Sequence, residues 1–226
     1  LSNINQKEVD LFWDEYNDIS YEWENFYNRV KRALRGYFGR SNLDIGDKAI
    51  KVRSANSSPI PKDADVVPSA DYRKYHHFLS DGTEEYETGM FFKTQSTGRP
   101  IVNYSKSHRA NGEDKNENTN GKFKPTIRMF KNAKNTAIEE GVLSENAVSS
   151  YYLEGLLYNV DNRLIVQSNL QDRYLDILDW LQKSDIKDFP EQSEMYPLCD
   201  SSDPDRWSVE NAESTINGLM KLWEDY

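Results

Sequence analysis

Asp63-Ala64-Asp65-Val66-Val67-Pro68 is the stretch around which the chain can be organised. Read as a strand, its alternation puts Asp63, Asp65 and Val67 on one face and Ala64 and Val66 on the other, and Pro68 ends the ladder because it has no N–H. The two carboxylates then stand about 7 Å apart on a shared face. Carboxylates beside apolar valines are costly to bury unless something positive holds them, and a divalent cation does so commonly. A solvated acidic strand end and a metal-binding strand are both open on these residues alone.

Working outward, residues 48–53 form a second candidate strand, joined to the first by the Ser/Pro/Asn-rich turn over 54–61. Residues 86–95 and 99–104 predict another hairpin, through Ser96-Thr97-Gly98-Arg99. Upstream, Val9, Phe12, Trp13, Tyr16, Ile19, Trp23, Phe26, Tyr27, Val30, Leu34, Tyr37 and Phe38 recur at spacings of three and four. They predict one helix over 9–38, acidic early (Glu8, Asp10) and basic late (Lys31, Arg32, Arg35), stopped by Gly39 and about 45 Å long. The expectation is one sheet with this helix on one face.

After Tyr104 the pattern changes. Residues 111–120 read as a polar loop or frayed helix end, and 124–140, 147–159, 170–183 and 208–223 read as helices. Pro190, Pro197 and Pro204 mark an irregular stretch before the last helix. The class is α+β, with a boundary near Tyr104 that divides the chain into 1–104 and 105–226. No internal repeat and no Walker or Rossmann glycine loop occurs.

A net charge of -10 argues against a general coat for nucleic acid or anionic membrane. An anionic ligand must therefore be met by a local cluster of positive charge. Cys199 is the single cysteine, which excludes an internal disulfide and fits a reducing cytosol. Neither a membrane-spanning run nor a signal peptide is legible. His76, His77 and His108 lack ligand-like spacing and read as surface or loop residues, with no zinc site. No Gly-x-Ser-x-Gly elbow or Cys/His pairing supports nucleophilic hydrolase chemistry.

The local cluster sits in residues 122–135. Helical spacing stacks Lys124, Arg128 and Lys131 on one stripe beside the apolar Phe123, Ile127, Phe130, Ala133 and Ala137. Such a stripe is either a polyphosphate clamp or a solvated basic face. Ser149-Ser150-Tyr151-Tyr152 opens the next helix. Serine hydroxyls and free N–H groups there suit a phosphate oxygen, and a tyrosine beside them can stack on a base; plain capping followed by core aromatics is the alternative.

Taken in order, the Asp63–Pro68 stretch, Ile101-Val102-Asn103-Tyr104, residues 119–132 with their Gly121-Lys122-Phe123-Lys124-Pro125 centre, and Ser150-Tyr151-Tyr152-Leu153-Glu154 resemble the bacterial CD-NTases. These are cyclic-oligonucleotide synthases of the polymerase-beta-like nucleotidyltransferase superfamily, related to cGAS and oligoadenylate synthetase. The resemblance implies a nucleotidyltransferase palm with a long spine helix, followed by a C-terminal helical lobe. It also implies metal-assisted nucleotidyl transfer with Mg2+ or Mn2+ and NTP substrates. Asp65 matches the family's third acid, as metal ligand and aid to deprotonation. Lys131 and Ser150 match the triphosphate contacts, Arg128 is a secondary candidate, and Tyr151 is the base-stacking platform.

The family's Gly-Ser turn and Asp-x-Asp strand would precede the long helix, and this sequence begins at Leu1. The expectation is a palm incomplete at its N-terminus and a chain inactive by itself. The resemblance further implies a cytoplasmic anti-phage (CBASS) enzyme whose cyclic product activates a downstream effector, with no membrane or stable nucleic-acid partner. A non-catalytic nucleotide- or partner-binding relative and a linear nucleotidyl-adding enzyme are the alternatives.

Overall fold

Trp23–Phe38 forms helix α1, the later part of the periodic stretch. The computed structural model describes residues 22–54, 59–78, 83–203 and 206–224, so the part of the predicted helix before residue 22 lies outside the described residues. Trp23, Phe26 and Tyr27 turn the apolar stripe of α1 inward, and the Trp23 ring meets Phe91 edge-on at 5.6 Å. Gly39 ends the helix as expected: it adopts φ 81°, a region unfavourable to residues with a Cβ, and donates its N–H to the Arg35 carbonyl at 3.1 Å.

The chain divides into two compact units, Leu1–Tyr104 and Ser105–Tyr226. In the first, β1 (Leu43–Ile45), β2 (Ile50–Val52) and β3 (Ala64–Val66) form an antiparallel sheet in that order, with Lys51 opposite Asp65. β4 (Ala70–Phe78), β5 (Glu84–Lys93) and β6 (Pro100–Asn103) form another, also antiparallel. Both predicted hairpins are present, but among the described residues the expected single sheet is two sheets of three strands.

The difference arises from β1 and β4, which the pattern did not reveal. β1 has only three residues, and β4 interleaves charges with aromatics and carries a bulge between Tyr75 and His77, which breaks strict alternation. The turn at 96–99 is built from Thr94, whose Oγ1 accepts the Arg99 N–H at 3.0 Å and pairs with the Thr97 hydroxyl at 2.8 Å. Ile50, Val52, Phe92 and Ile101 are the buried side chains these strands share.

The second unit is helical: α2 (Ser105–Asn118), α3 (Phe123–Glu139), α4 (Ser150–Tyr158), the single turn α5 (Asn162–Ile165), α6 (Leu170–Lys183) and α7 (Val209–Glu224). The reading of 111–120 as a polar loop is corrected, because most of it is the body of α2. That helix has no apolar stripe; Gly112 is its one buried residue, and polar contacts hold it. Asn111 donates to the Gln192 carbonyl at 2.9 Å, and Lys115 donates to the Val160 carbonyl at 2.8 Å and to Asn162 at 2.9 Å. Burial lowers the Lys115 pKa to about 8. A Cβ on Gly112 would lie 2.3 Å from Gln192 Nε2, so only glycine lets α2 approach this closely.

The α3 stripe behaves as its spacing predicts. Phe123, Ile127, Phe130 and Ala137 are buried among residues of α4, α6 and α7, including Leu153, Leu157, Ile177, Leu178 and Ile216. Asn169 caps α6 by accepting from Gln171 and Asp172, and Ser149 caps α4 by accepting from Tyr152. Among the described residues no helix is long and apolar enough to cross a membrane.

Phe130 is 0% exposed at the centre of this unit. Phe130→Ala removes a ring no neighbour can replace and is expected to cost about 3–5 kcal/mol, read as a lower urea midpoint at unchanged m-value.

Candidate functional site

Because Phe130 and Ile127 face the core, the opposite side of α3 carries its cations outward, and they fare differently. Lys124 and Arg128 are exposed along a cleft of about 370 Å³ between α2, α3 and α4. Lys131, one turn on, is half-buried and ion-paired with Glu154 of α4. The same carboxylate faces His108 Nε2 of α2 at 3.5 Å. The hydrogen bond from His108, with the bond and charge of Lys131, holds the Glu154 carboxyl below its ordinary range although burial pushes it up.

His108 is therefore corrected from a surface or loop residue to a helical one with its side chain 19% exposed. Its ring stacks on Tyr151 at 5.0 Å and 16°. Gln192 forms part of the cleft wall, 5% exposed, and donates from Nε2 to the His108 carbonyl at 2.8 Å.

Helix α4 begins beneath these groups. Ser149 takes the capping role, which leaves the exposed Ser150 as the first helical residue with its hydroxyl toward solvent. Tyr151 is 41% exposed; its hydroxyl donates to Glu191 Oε2 at 3.0 Å. Burial, then the Glu191 charge, pushes the phenol far above its ordinary range, so it stays a donor. Tyr152 turns inward and stacks on the buried Trp207. The two tyrosines thus differ: Tyr152 joins the core and Tyr151 stays partly exposed.

Arg128, Lys131, Ser150 and Tyr151 thus come from two adjacent helices of the second unit, and Glu154 and His108 link Lys131 to Tyr151. Asp65 belongs to the first unit, exposed on β3 opposite Lys51. Its neighbour Asp63 is occupied otherwise: it accepts the Ser54 N–H at 2.8 Å and the Ser54 hydroxyl at 2.9 Å, and these bonds lower its pKa. Among the described residues no three His, Cys, Asp or Glu side chains cluster as metal ligands. One exposed carboxylate does not supply the near-octahedral oxygen shell of Mg2+, so the described residues alone do not make a metal site.

Sequence reasoning missed His108, Glu154, Glu191 and Arg206 as members of this network. Glu154 stood within a quoted motif, but Glu191 and Arg206 lie in the proline-marked irregular stretch, where no periodicity points to them.

Comparison with known proteins gives a consistent picture. Residues 110–224 match the model of the cGAS/DncV-like nucleotidyltransferase C-terminal helical domain. The cyclic nucleotide synthase CdnE01 of Staphylococcus haemolyticus is 37% identical over 229 residues, covering 100% of this chain and 74% of the relative. The cyclic UMP-AMP synthase of Rhodothermus marinus is 38% identical, covering 90% of this chain and 67% of the relative. The solved structure of Rhodothermus marinus CdnE c-UMP-AMP synthase with Apcpp and Upnpp superposes with a TM-score of 0.85 at 35% identity, over 99% of this chain and 73% of that one. A second, Elizabethkingia meningoseptica CdnE with GTP and Apcpp, shares the fold at a TM-score of 0.77 and 22% identity, over 91% of this chain and 72% of that one.

The depressed Glu154 carboxyl has a signed consequence for stability. Its stabilisation is complete above the ordinary value of 4.5 and is lost as pH falls through the lower folded value. Urea midpoints of the wild type should fall more steeply with acidification below that range than those of Glu154→Gln; parallel curves would show that the ion pair adds nothing.

Proposed function

The chain belongs to the cGAS/DncV-like nucleotidyltransferases, and from that membership we propose that it makes cyclic di- or oligonucleotides from nucleoside triphosphates. A ribose hydroxyl of one nucleotide loses its proton with the aid of the Asp65 carboxylate, its oxygen bonds to the α-phosphorus of another, the bond from that phosphorus to the oxygen bridging to the β-phosphate breaks, and pyrophosphate leaves with the electron pair. A second such transfer between the joined nucleotides closes a dinucleotide ring, and further ones enlarge it. The product serves as a second messenger for an effector in cytoplasmic anti-phage defence, without a membrane or stable nucleic-acid partner.

The observation that carries this reading is the grouping of Lys131, Ser150 and Tyr151 at the start of α4 and the facing side of α3. Lys131 neutralises a triphosphate oxygen, and Arg128 adds a second cation from the same helix. The Ser150 hydroxyl and the free N–H groups of the first α4 turn donate to phosphate oxygens. Tyr151 offers its ring to a base. In the resting arrangement Glu154 is the counter-ion of Lys131, so an incoming triphosphate replaces one anion with another rather than meeting an unpaired charge. Asp65 contributes one carboxylate to a divalent cation, Mg2+ or Mn2+, whose other ligands are not among the described residues.

The test is product analysis with the full-length protein, MgCl2 and all four NTPs, by mass spectrometry after phosphatase treatment. A phosphatase-resistant cyclic product is expected, and Lys131→Ala and Asp65→Ala should each lower its rate by about 10²-fold or more. Phosphatase-sensitive linear chains would favour a nucleotidyl-adding enzyme. Undiminished turnover by Asp65→Ala would refute its role.

A further inference from the structure

The loop over 189–198 packs against α4 at Gly155, where a side chain would have to displace that of Leu198. Gly155 lies one turn beyond Tyr151, and a Cβ there would stand 2.7 Å from Leu198 Cδ1 and 3.8 Å from the Glu191 Cα. The loop is closed on itself by the Leu198 N–H to the Phe189 carbonyl at 2.7 Å and the Glu191 N–H to the Tyr196 carbonyl at 3.0 Å. It is tied to α4 by Asn159, which donates to the Pro190 carbonyl at 2.9 Å. This carries the Glu191 carboxylate, 3% exposed, under the edge of Tyr151.

Glu191 is saturated with donors there. Arg206 binds Oε2 at 2.6 Å, the Tyr151 hydroxyl shares that oxygen at 3.0 Å, and Ser193 donates to Oε1. Arg206 is 13% exposed and lies over the Tyr196 ring at 4.1 Å, with Asp203 at 3.7 Å. A buried carboxylate that needs only a counter-ion would be satisfied by the arginine and serine. The third bond goes instead to the more exposed tyrosine of the pair, 41% exposed as a residue. With His108 stacked on it at 5.0 Å and Tyr152 edge-on at 5.6 Å, the ring is fixed at its hydroxyl, one face and an edge.

We propose that Glu191, held by Arg206, is a positioning residue that sets the plane of Tyr151 for stacking on the base of a nucleoside triphosphate. The inference rests on the reading of Tyr151 given under Proposed function. A preset ring binds a base without first losing the freedom of an exposed tyrosine, so the device acts on the base and leaves the phosphates alone. Gly155 and the loop hydrogen bonds are what make the preset geometry durable.

Isothermal titration of the wild type with ATP, GTP, CTP, UTP and inorganic tripolyphosphate, each with MgCl2, separates these contributions. At least one NTP should bind about tenfold or more tightly than tripolyphosphate, as a base stacked on an aromatic ring requires. Tyr151→Phe keeps the ring, loses the bond to Glu191 and should reduce that preference about three- to tenfold while leaving tripolyphosphate affinity unchanged. Glu191→Gln should do the same where circular dichroism shows it folded, and combined with Tyr151→Phe it should reduce the preference by less than the two losses multiplied, because both substitutions break the bond these residues share. An unaltered preference in Tyr151→Phe overturns the positioning role and leaves the proposed function standing. Equal weakening of NTP and tripolyphosphate overturns it as well, since that is the mark of a general structural defect. A wild type with no preference for any NTP overturns the base platform itself and this inference with it.

Discussion

The burial of one face of α3 is the constraint on which the second unit depends. Phe123, Phe130 and Ala137 are essentially excluded from solvent, and this fixes the rotation of the helix about its axis. Once that rotation is set, Lys124, Arg128 and Lys131 have no choice of side, and α4 packs alongside with Leu153, Leu156 and Leu157 turned to the same core. The polar network is thus a by-product of apolar packing, since its members stand on the faces the core does not use. Its own bonds are then needed for orientation rather than for cohesion.

Charge in this acidic protein is answered locally. Lys131 has Glu154, Glu191 has Arg206, and Lys115 is met by carbonyl oxygens and the faces of Phe123 and Tyr158. Buried or half-buried ions without such partners would each cost several kcal/mol on the order expected for desolvation. The pairs contribute little net stability for that reason, and their value lies in specifying where long side chains point. At α4 this specification is unusually complete: Ser149 caps, Ser150 is exposed, Tyr151 is held by its hydroxyl, and Tyr152 is committed to the core.

What could be read in advance follows the range of the interactions concerned. The α3 stripe, the boundaries of α6, the Gly39 stop and both hairpins rest on periodicity or turn chemistry, which neighbouring residues carry by themselves. The division into two sheets was not legible because β1 is too short for a period and the alternation of β4 is interrupted by its register shift. Helix α2 was misjudged since its stabilisation comes from Gln192, Val160 and Asn162, far along the chain. The same distance hid Glu191 and His108: a residue whose meaning lies in a contact 40 positions away leaves no local trace. Spacing and family resemblance together singled out Lys131, Ser150 and Tyr151, whereas the pairing of Lys131 with Glu154 and of Tyr151 with Glu191 came only from geometry.

Two glycines on separate helices receive the same loop. Gly112 of α2 faces the Gln192 side chain, and Gly155 of α4 faces Leu198. The loop thus sits against two notches, and hydrogen bonds from Asn111 and Asn159 hold it there. Filling either notch obliges the side chain opposite to move, Gln192 for position 112 and Leu198 for position 155. A methyl group added at either place would therefore disturb the side chains that seat the loop before it pressed on the loop's own backbone.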